Sequence, residues 1–151
     1  MRPIPSIFYP FIRSVEGVKL YEYTDIAGVK TIYCGHVCKA GELYTHTIED
    51  VDKYLQADAT YAAGVVGRLT DKLFLDANEY AALISFAFNA GTTAFANSTL
   101  LKLLQQGDKI GAANQFLVWN KIRNPQTKQL EFSAGLNNRR VAERKLFLGQ
   151  N

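Results

Sequence analysis

The 151 residues fit one domain, which at this length buries about two thirds of the surface its unfolded chain exposes. With 48% hydrophobic and 21% charged residues, no low-complexity run and no internal repeat, the composition excludes disorder outside the termini, and no stretch approaches the roughly eighteen apolar residues of a membrane span. The net charge of +3 favours anionic partners such as nucleic acid, membrane surface or wall polymer, but only Arg139, Arg140, Arg144 and Lys145 cluster, too sparsely for a phosphate-tracking stripe, so nucleic acid is not expected.

The N-terminal RPIPSIFYPFI is broken by three prolines and shows no cleavage site, so the chain as written is expected to be soluble, unexported and without stable membrane insertion. Ser6 or Pro10 starts a short helix with Phe11, Ile12 and Val15 as its apolar face, and Gly17 ends it. Glu16 falls in the last turn beside Val15 and Val18, where desolvation favours a protonated carboxyl; a solvated carboxylate at a helix end is the plainer reading. Val18 to Tyr23 and Val29 to Cys34 are rich in β-branched and aromatic residues, and Asp25, Ala27 and Gly28 supply the turn of a β-hairpin between them. Asp25 can stay hydrated and ionised in the connection, while Thr31 stands on the returning strand with its hydroxyl able to point back. Eight residues separate Glu16 from Asp25 and five separate Asp25 from Thr31, an arrangement that can hold an acid and a base apart.

Cys34, His36 and Cys38 would share one face of an extended strand, with His46 in the next loop, which invites a zinc reading. The spacing is not that of structural zinc and Gly35 bends the strand, so no metal is expected, and two cysteines are too few for a disulfide framework.

Thr47 with Asp50 reads as a capping box opening a helix through Ile48, Val51 and Leu55 that reaches Val66, or stops near Gly64 if it is an ordinary surface helix. Its length and place make it a strut between the hairpin and the apolar C-terminal half. Asp76 or Asn78 caps a helix that is apolar nearly all round, through Tyr80, Leu83, Ile84, Phe86, Ala87 and Phe88, the core of a larger lobe. Gly91 ends it, Ser98 caps the next through Leu100, Leu101 and Leu104, and Gly107 closes that one. Asn89, beside Gly91, is either a helix-ending amide or a substrate contact. Ile110 to Trp119 makes another helix with Trp119 in the core, the polar loop NKIRNPQTKQLEF follows, and a last helix from Gly135 to Leu148 carries Leu136, Val141, Leu146 and Phe147 opposite the basic cluster.

Glu16, Gly17, Leu20, Tyr23, Asp25, Gly28, Val29, Thr31 and Ile32 stand in the pattern EG-x-x-L-x-x-Y-x-D-x-x-G-V-x-T-I, followed in order by FAFNAGTTAFANSTLLKLLQQGD and GLNNRRVAERKLFLG. These blocks span nearly the entire chain and resemble the catalytic segment, central helix pair and last helix of the phage-type lysozymes, or endolysins, of glycoside hydrolase family 24. The resemblance implies a lysozyme-like α+β fold in a single domain. A small β-rich lobe over about residues 14–46 and a larger helical lobe are joined by the long helix, with a cleft between. It implies hydrolysis, with inversion and without a cofactor, of the β-1,4 bond between N-acetylmuramic acid and N-acetylglucosamine in peptidoglycan. It further implies a monomer of phage or prophage origin, held in the host cytoplasm until lysis and reaching the wall, in the periplasm, through a holin-made lesion.

Cleaving a glycoside in this way needs one carboxyl kept protonated for the leaving oxygen and another kept ionised to activate water. Glu16 is accordingly the general acid and Asp25 the ionised partner, with Thr31 helping to position the water. Inversion places such carboxyls about 6.5 to 9.5 Å apart, which a hairpin separation can supply. Arg139 or Arg140 pairs with Glu16 between turnovers. Tyr33, His36, Asn89 and Arg140 are the candidate substrate contacts. One departure matters: where the family commonly has T-I-G-Y-G-H, this chain has Thr31, Ile32, Tyr33, Cys34, Gly35, His36. A phenol beside the cleft would narrow the site or add a hydrogen-bonding group. The alternative expectation is therefore a catalytically weakened peptidoglycan-binding protein of the same fold.

Overall fold

The computed structural model describes residues 2–150. Helix α1 (Phe8–Glu16) ends where Gly17, at φ 74°, turns its N–H back to the Arg13 carbonyl at 3.0 Å, a left-handed stop that favours glycine. The chain then enters an antiparallel sheet of β1 (Lys19–Thr24), β2 (Lys30–Tyr33) and β3 (His36–Val37) in that spatial order. Tyr23 faces Thr31 and Thr24 faces Lys30 across the first hairpin, and an irregularity interrupts β1 between Lys19 and Tyr23. Positive φ values at Tyr33 (62°) and Gly35 (81°) fold the chain back into β3, so Cys34, His36 and Cys38 do not share the face of one strand.

Helix α2 (Ile48–Leu69) is the long connection between the lobes, burying Val51, Leu55, Ala59, Ala62, Ala63 and Val66. It runs through Gly64 rather than stopping there, and outlasts the expected end at Val66. Its cap is half of the expected box: Thr47 accepts from the Asp50 N–H at 3.2 Å, while the Asp50 carboxylate turns to the Thr45 N–H at 3.0 Å and to Tyr33. Both halves of a capping box occur instead at α3 (Ala77–Ala90), where Asp76 and Glu79 exchange bonds of 2.7 and 2.8 Å. Tyr80 ties α3 to α2 by donating to the Ala63 carbonyl at 3.1 Å.

The helical lobe continues through α4 (Thr92–Ala96), α5 (Thr99–Gln105) and α6 (Lys109–Gln115). Helix α4 was not expected, and the helix expected over Ile110–Trp119 is instead α6 followed by a 3-10 turn at Phe116–Val118. The polar stretch expected as a loop forms a second hairpin, β4 (Lys121–Arg123) with β5 (Leu130–Phe132), before α7 (Ala134–Phe147) closes the lobe. Phe86 of α3 is the hub of the core, with Phe95, Phe116 and Trp119 edge-on at 6.3, 5.7 and 5.4 Å. Full burial of such a side chain stabilises by about 1.5–3 kcal/mol. Trp119 is thereby core-packed, as its residue type suggested.

Candidate active site

Helix α1 carries Glu16 out of the core on its last turn, leaving the side chain 29% exposed, and α7 brings Arg139 against it. Arg139 Nη1 donates to Glu16 Oε1. The rest of the guanidinium is fixed from inside the lobe: Nε donates to Glu143 Oε2 at 3.2 Å, and Nη2 reaches the Ser85 carbonyl at 3.3 Å and its hydroxyl at 3.2 Å. Ser85 Oγ in turn donates to Glu143 Oε2 at 2.5 Å. A carboxylate on one helix end is thus held by an arginine whose other donors are already engaged between α3 and α7. Of the two arginines expected to compete for Glu16, Arg139 takes it.

Arg140 points the other way. Fully buried, it donates through Nη2 to Asn89 Oδ1, lies 5.0 Å over the Phe86 ring, and holds Nη1 3.2 Å from Glu143 Oε1. That last contact is an ion pair without hydrogen-bond alignment, and Arg140 Nε finds no partner among the described residues. Burial pushes the Arg140 guanidinium below its ordinary value against the pull of Glu143, and pushes the Glu143 carboxyl up against Arg140 and Arg139. Arg140, expected at the substrate, is therefore buried in a polar seam between α3 and α7, while Asn89, which accepts its bond, is itself exposed at the end of α3. Ser85 and Glu143 were not anticipated, although Glu143 stands four residues after Arg139, on the same helix face.

On the sheet, Asp25 and Thr31 converge on the peptide of Val29. The Val29 carbonyl accepts from the Asp25 N–H at 2.9 Å and from Thr31 Oγ1 at 2.9 Å, while the Val29 N–H donates to Asp25 Oδ1 at 2.8 Å. Gly28, at φ 81°, closes the turn by donating to the Asp25 carbonyl at 3.0 Å. Asp25 so keeps one carboxylate oxygen on a backbone donor, and Thr31, buried on β2, has its proton committed and its lone pairs left to accept. The two carboxylates sit on different elements with different partners: a cation for Glu16, a backbone N–H for Asp25.

Two further expected contacts lie inside the fold. Tyr33 is 1% exposed; its hydroxyl donates to Asp50 Oδ2 and accepts from the His46 N–H at 3.1 Å, and burial together with Asp50 pushes the phenol up to about 12. The left-handed turn of its backbone directs the ring between Tyr44 and Tyr54, each 5.9 Å away, so it neither narrows a cleft nor presents a hydroxyl to one. His36 is clamped with Nδ1 2.8 Å from Asp58 and Nε2 2.8 Å from Glu42, and is buried as well. The ring ties β3 to α2, and its residue lines a shallow hollow with Asp58 and Phe88.

His46 stacks on Tyr21 at 4.4 Å and meets Glu22 at 3.0 Å. Among the described residues, no three His, Cys, Asp or Glu side chains gather in a way that could hold a metal ion. Cys34, in the β2–β3 turn, and Cys38, just past β3, are free thiols, Cys38 donating its N–H to the Lys30 carbonyl at 3.0 Å at the far end of β2. Burial, with Glu16 and Asp52 adding, pushes the Cys34 thiol up to about 11, which suppresses the thiolate.

A family model described as phage lysozyme matches residues 13–143. The endolysin of Acyrthosiphon pisum secondary endosymbiont phage 1 is 36% identical over 139 residues, covering 90% of this chain and 91% of that one. The endolysin of Salmonella phage P22 is 34% identical over 143 residues, covering 91% and 92%. Among solved structures, an endolysin from the Escherichia coli O157:H7 phage FAHEc1 superposes with a TM-score of 0.86 at 32% identity, covering 98% of this chain and 94% of that chain.

Proposed function

This chain belongs to the phage lysozyme family, and from that premise we infer a muramidase of the endolysin type, which hydrolyses the β-1,4 bond between N-acetylmuramic acid and N-acetylglucosamine in bacterial peptidoglycan and so lyses the host cell. The assignment of roles is supported by the unlike settings of the two carboxylates: Glu16 on the end of α1 beside Arg139, and Asp25 gathered with Thr31 on the peptide of Val29.

Glu16 gives its proton to the glycosidic oxygen as the bond to the anomeric carbon breaks. Asp25 takes a proton from the attacking water on the opposite face of the sugar, and the Thr31 hydroxyl oxygen helps to hold that water. The product sugar is inverted at the anomeric carbon. As the Glu16 carboxylate forms, Arg139 stabilises it, and its bonds to Ser85 and Glu143 keep the guanidinium in place while Glu16 turns to the substrate. These roles call for no cofactor. The protein works as a single-domain monomer that waits in the host cytoplasm and acts on the wall in the periplasm once the membrane barrier is breached.

Mass analysis of products from purified peptidoglycan, set beside the Glu16→Gln form, tests the assignment. New reducing N-acetylmuramic acid ends should appear with the parent and vanish with the variant, whose melting curve stays cooperative. Continued cleavage by folded Glu16→Gln protein would remove Glu16 from the role, and anhydro-sugar ends would replace hydrolysis with transglycosylation.

A further inference from the structure

The end of α1 that carries Glu16 is tied down from two sides. Arg139 takes the carboxylate itself from α7. One helical turn earlier Arg13 reaches the other way, its Nη1 donating at 2.5 and 2.6 Å to the two carboxylate oxygens of Asp52 in the second turn of α2. A cation in the last turn of a helix suits the helix dipole wherever it points. Arg13 does more than that, because its carbonyl also accepts the Gly17 N–H at 3.0 Å and so closes the turn on which Glu16 stands. Among the described residues the Arg13–Asp52 pair is the one polar side-chain bond that joins α1 to α2.

The far end of this link leads to the other half of the proposed site. Asp50, two residues before Asp52 on α2, accepts from the Tyr33 hydroxyl, and Tyr33 stands two residues after Thr31 on β2. Helix α1 packs on α3, in the helical lobe, whereas Asp25 and Thr31 belong to the first hairpin. The route Glu16–Arg13–Asp52–Asp50–Tyr33–Thr31 thus crosses between the lobes through short bonds and single turns of helix or strand. The Cys34 thiol, just past β2, feels the same charges: beyond the effect of burial, Glu16 and then Asp52 push it up and Arg13 pulls it down.

We propose that Arg13 and Asp52 are positioning residues, an ion-pair ruler between the lobes that fixes the general acid relative to the strand holding the attacking water. The proposal rests on the muramidase reading. Its weight comes from the chemistry: inversion needs the two carboxyls about 6.5–9.5 Å apart to leave room for a water, and a misplacement of about 1 Å can cost about a hundredfold in rate. The pair itself is only half-buried, with side chains 25% and 34% exposed. Such a pair adds little to stability, so what it supplies is geometry rather than folding energy.

The test compares the parent with Arg13→Gln, Asp52→Asn, the double variant and Arg13→Lys on purified peptidoglycan, with a thermal melt of each. Arg13→Gln and Asp52→Asn should each lower kcat about tenfold, with KM within about twofold of the parent and a cooperative melt. The double variant should be no slower than either single one, because both remove the same bond. One nitrogen serves both Asp52 oxygens, a contact an ammonium can also make, so Arg13→Lys should keep most of the parent's kcat. Losses that multiply in the double variant, a raised KM with kcat unchanged, or a lysine variant as slow as the glutamine one would each overturn the proposal. Single variants with a lower Tm and the parent's kcat would make the pair a structural tie only. All these outcomes leave the parent's cleavage standing. A parent that releases no reducing ends would instead remove the muramidase reading, and with it any acid to position.

Discussion

Glutamine at position 143 keeps the shape of a side chain that is 0% exposed and removes only its charge. In the parent that carboxylate is shared: Ser85 Oγ donates to it at 2.5 Å, Arg139 Nε at 3.2 Å, and Arg140 Nη1 lies 3.2 Å from its second oxygen. Without the charge Arg139 still has Glu16, but Arg140 is left with a neutral amide and the face of Phe86, and Nε has no partner among the described residues to take up the difference. Removing one partner of a buried ion pair costs about 3–5 kcal/mol, because the cost of the uncompensated charge is added to the lost attraction. At about 2–4 °C per kcal/mol for a chain of this size, Tm should fall by about 6–20 °C. Urea and thermal melts of parent and Glu143→Gln, with the urea m-value as the check that both unfold alike, measure the loss. A loss under about 1 kcal/mol would refute the claim that the Glu143 charge holds the two arginines, since glutamine preserves its shape and its hydrogen-bonding reach.

Asp25→Asn and Thr31→Ala should each lower kcat, the former by about a hundredfold or more, with wall binding little changed; parallel losses in turnover and binding would reduce the pair to substrate positioning. Tyr33→Phe should cost about 1–3 kcal/mol in a urea melt, because the hydroxyl satisfies both the Asp50 carboxylate and the His46 N–H; an unchanged midpoint would show that bond to be idle. His36 supplies a pH signature. Burial alone opposes its charge, but Glu42 and Asp58 outweigh that and raise the imidazole above 6.5 in the folded protein. The stabilisation it contributes is therefore complete below about pH 6.5, the unfolded value, and is lost as pH rises through the folded value. Glu42, held below the usual carboxylate range by His36 and then Tyr44, acts at the other end, its share being lost as pH falls through its own depressed value. The stability advantage of the parent over His36→Asn should thus shrink between mildly acidic and mildly alkaline pH, and an advantage that stays constant or grows would refute this sign.

Features set by neighbours in sequence are legible in the residues themselves. Gly17 stops α1 and so puts Glu16 on a helix end; the Asp25–Gly28 turn requires a carboxylate near its backbone donors and a glycine at positive φ; Ser98 and Asp76 cap their helices through N–H groups three residues away. Each of these is decided within one turn of chain, where residue type and backbone geometry act directly. The β4–β5 hairpin was missed because Lys121–Arg123 and Leu130–Phe132 are only three residues each, with no buried face to impose an alternating pattern. Tyr33, His36 and Arg140 look available to substrate from sequence alone, because polar side chains near a catalytic segment carry no sign of the partners that bury them, whereas Asn89 stays exposed. Their partners Asp50, Asp58 and Glu42, and Arg140 itself for Asn89, stand up to 51 residues away. The choice of Arg139 over Arg140 for Glu16 has the same origin. Adjacent helical residues point about 100° apart, and only the rotation of α7 against α3 and α1 decides which of them meets a carboxylate 123 positions earlier and which is buried on Phe86.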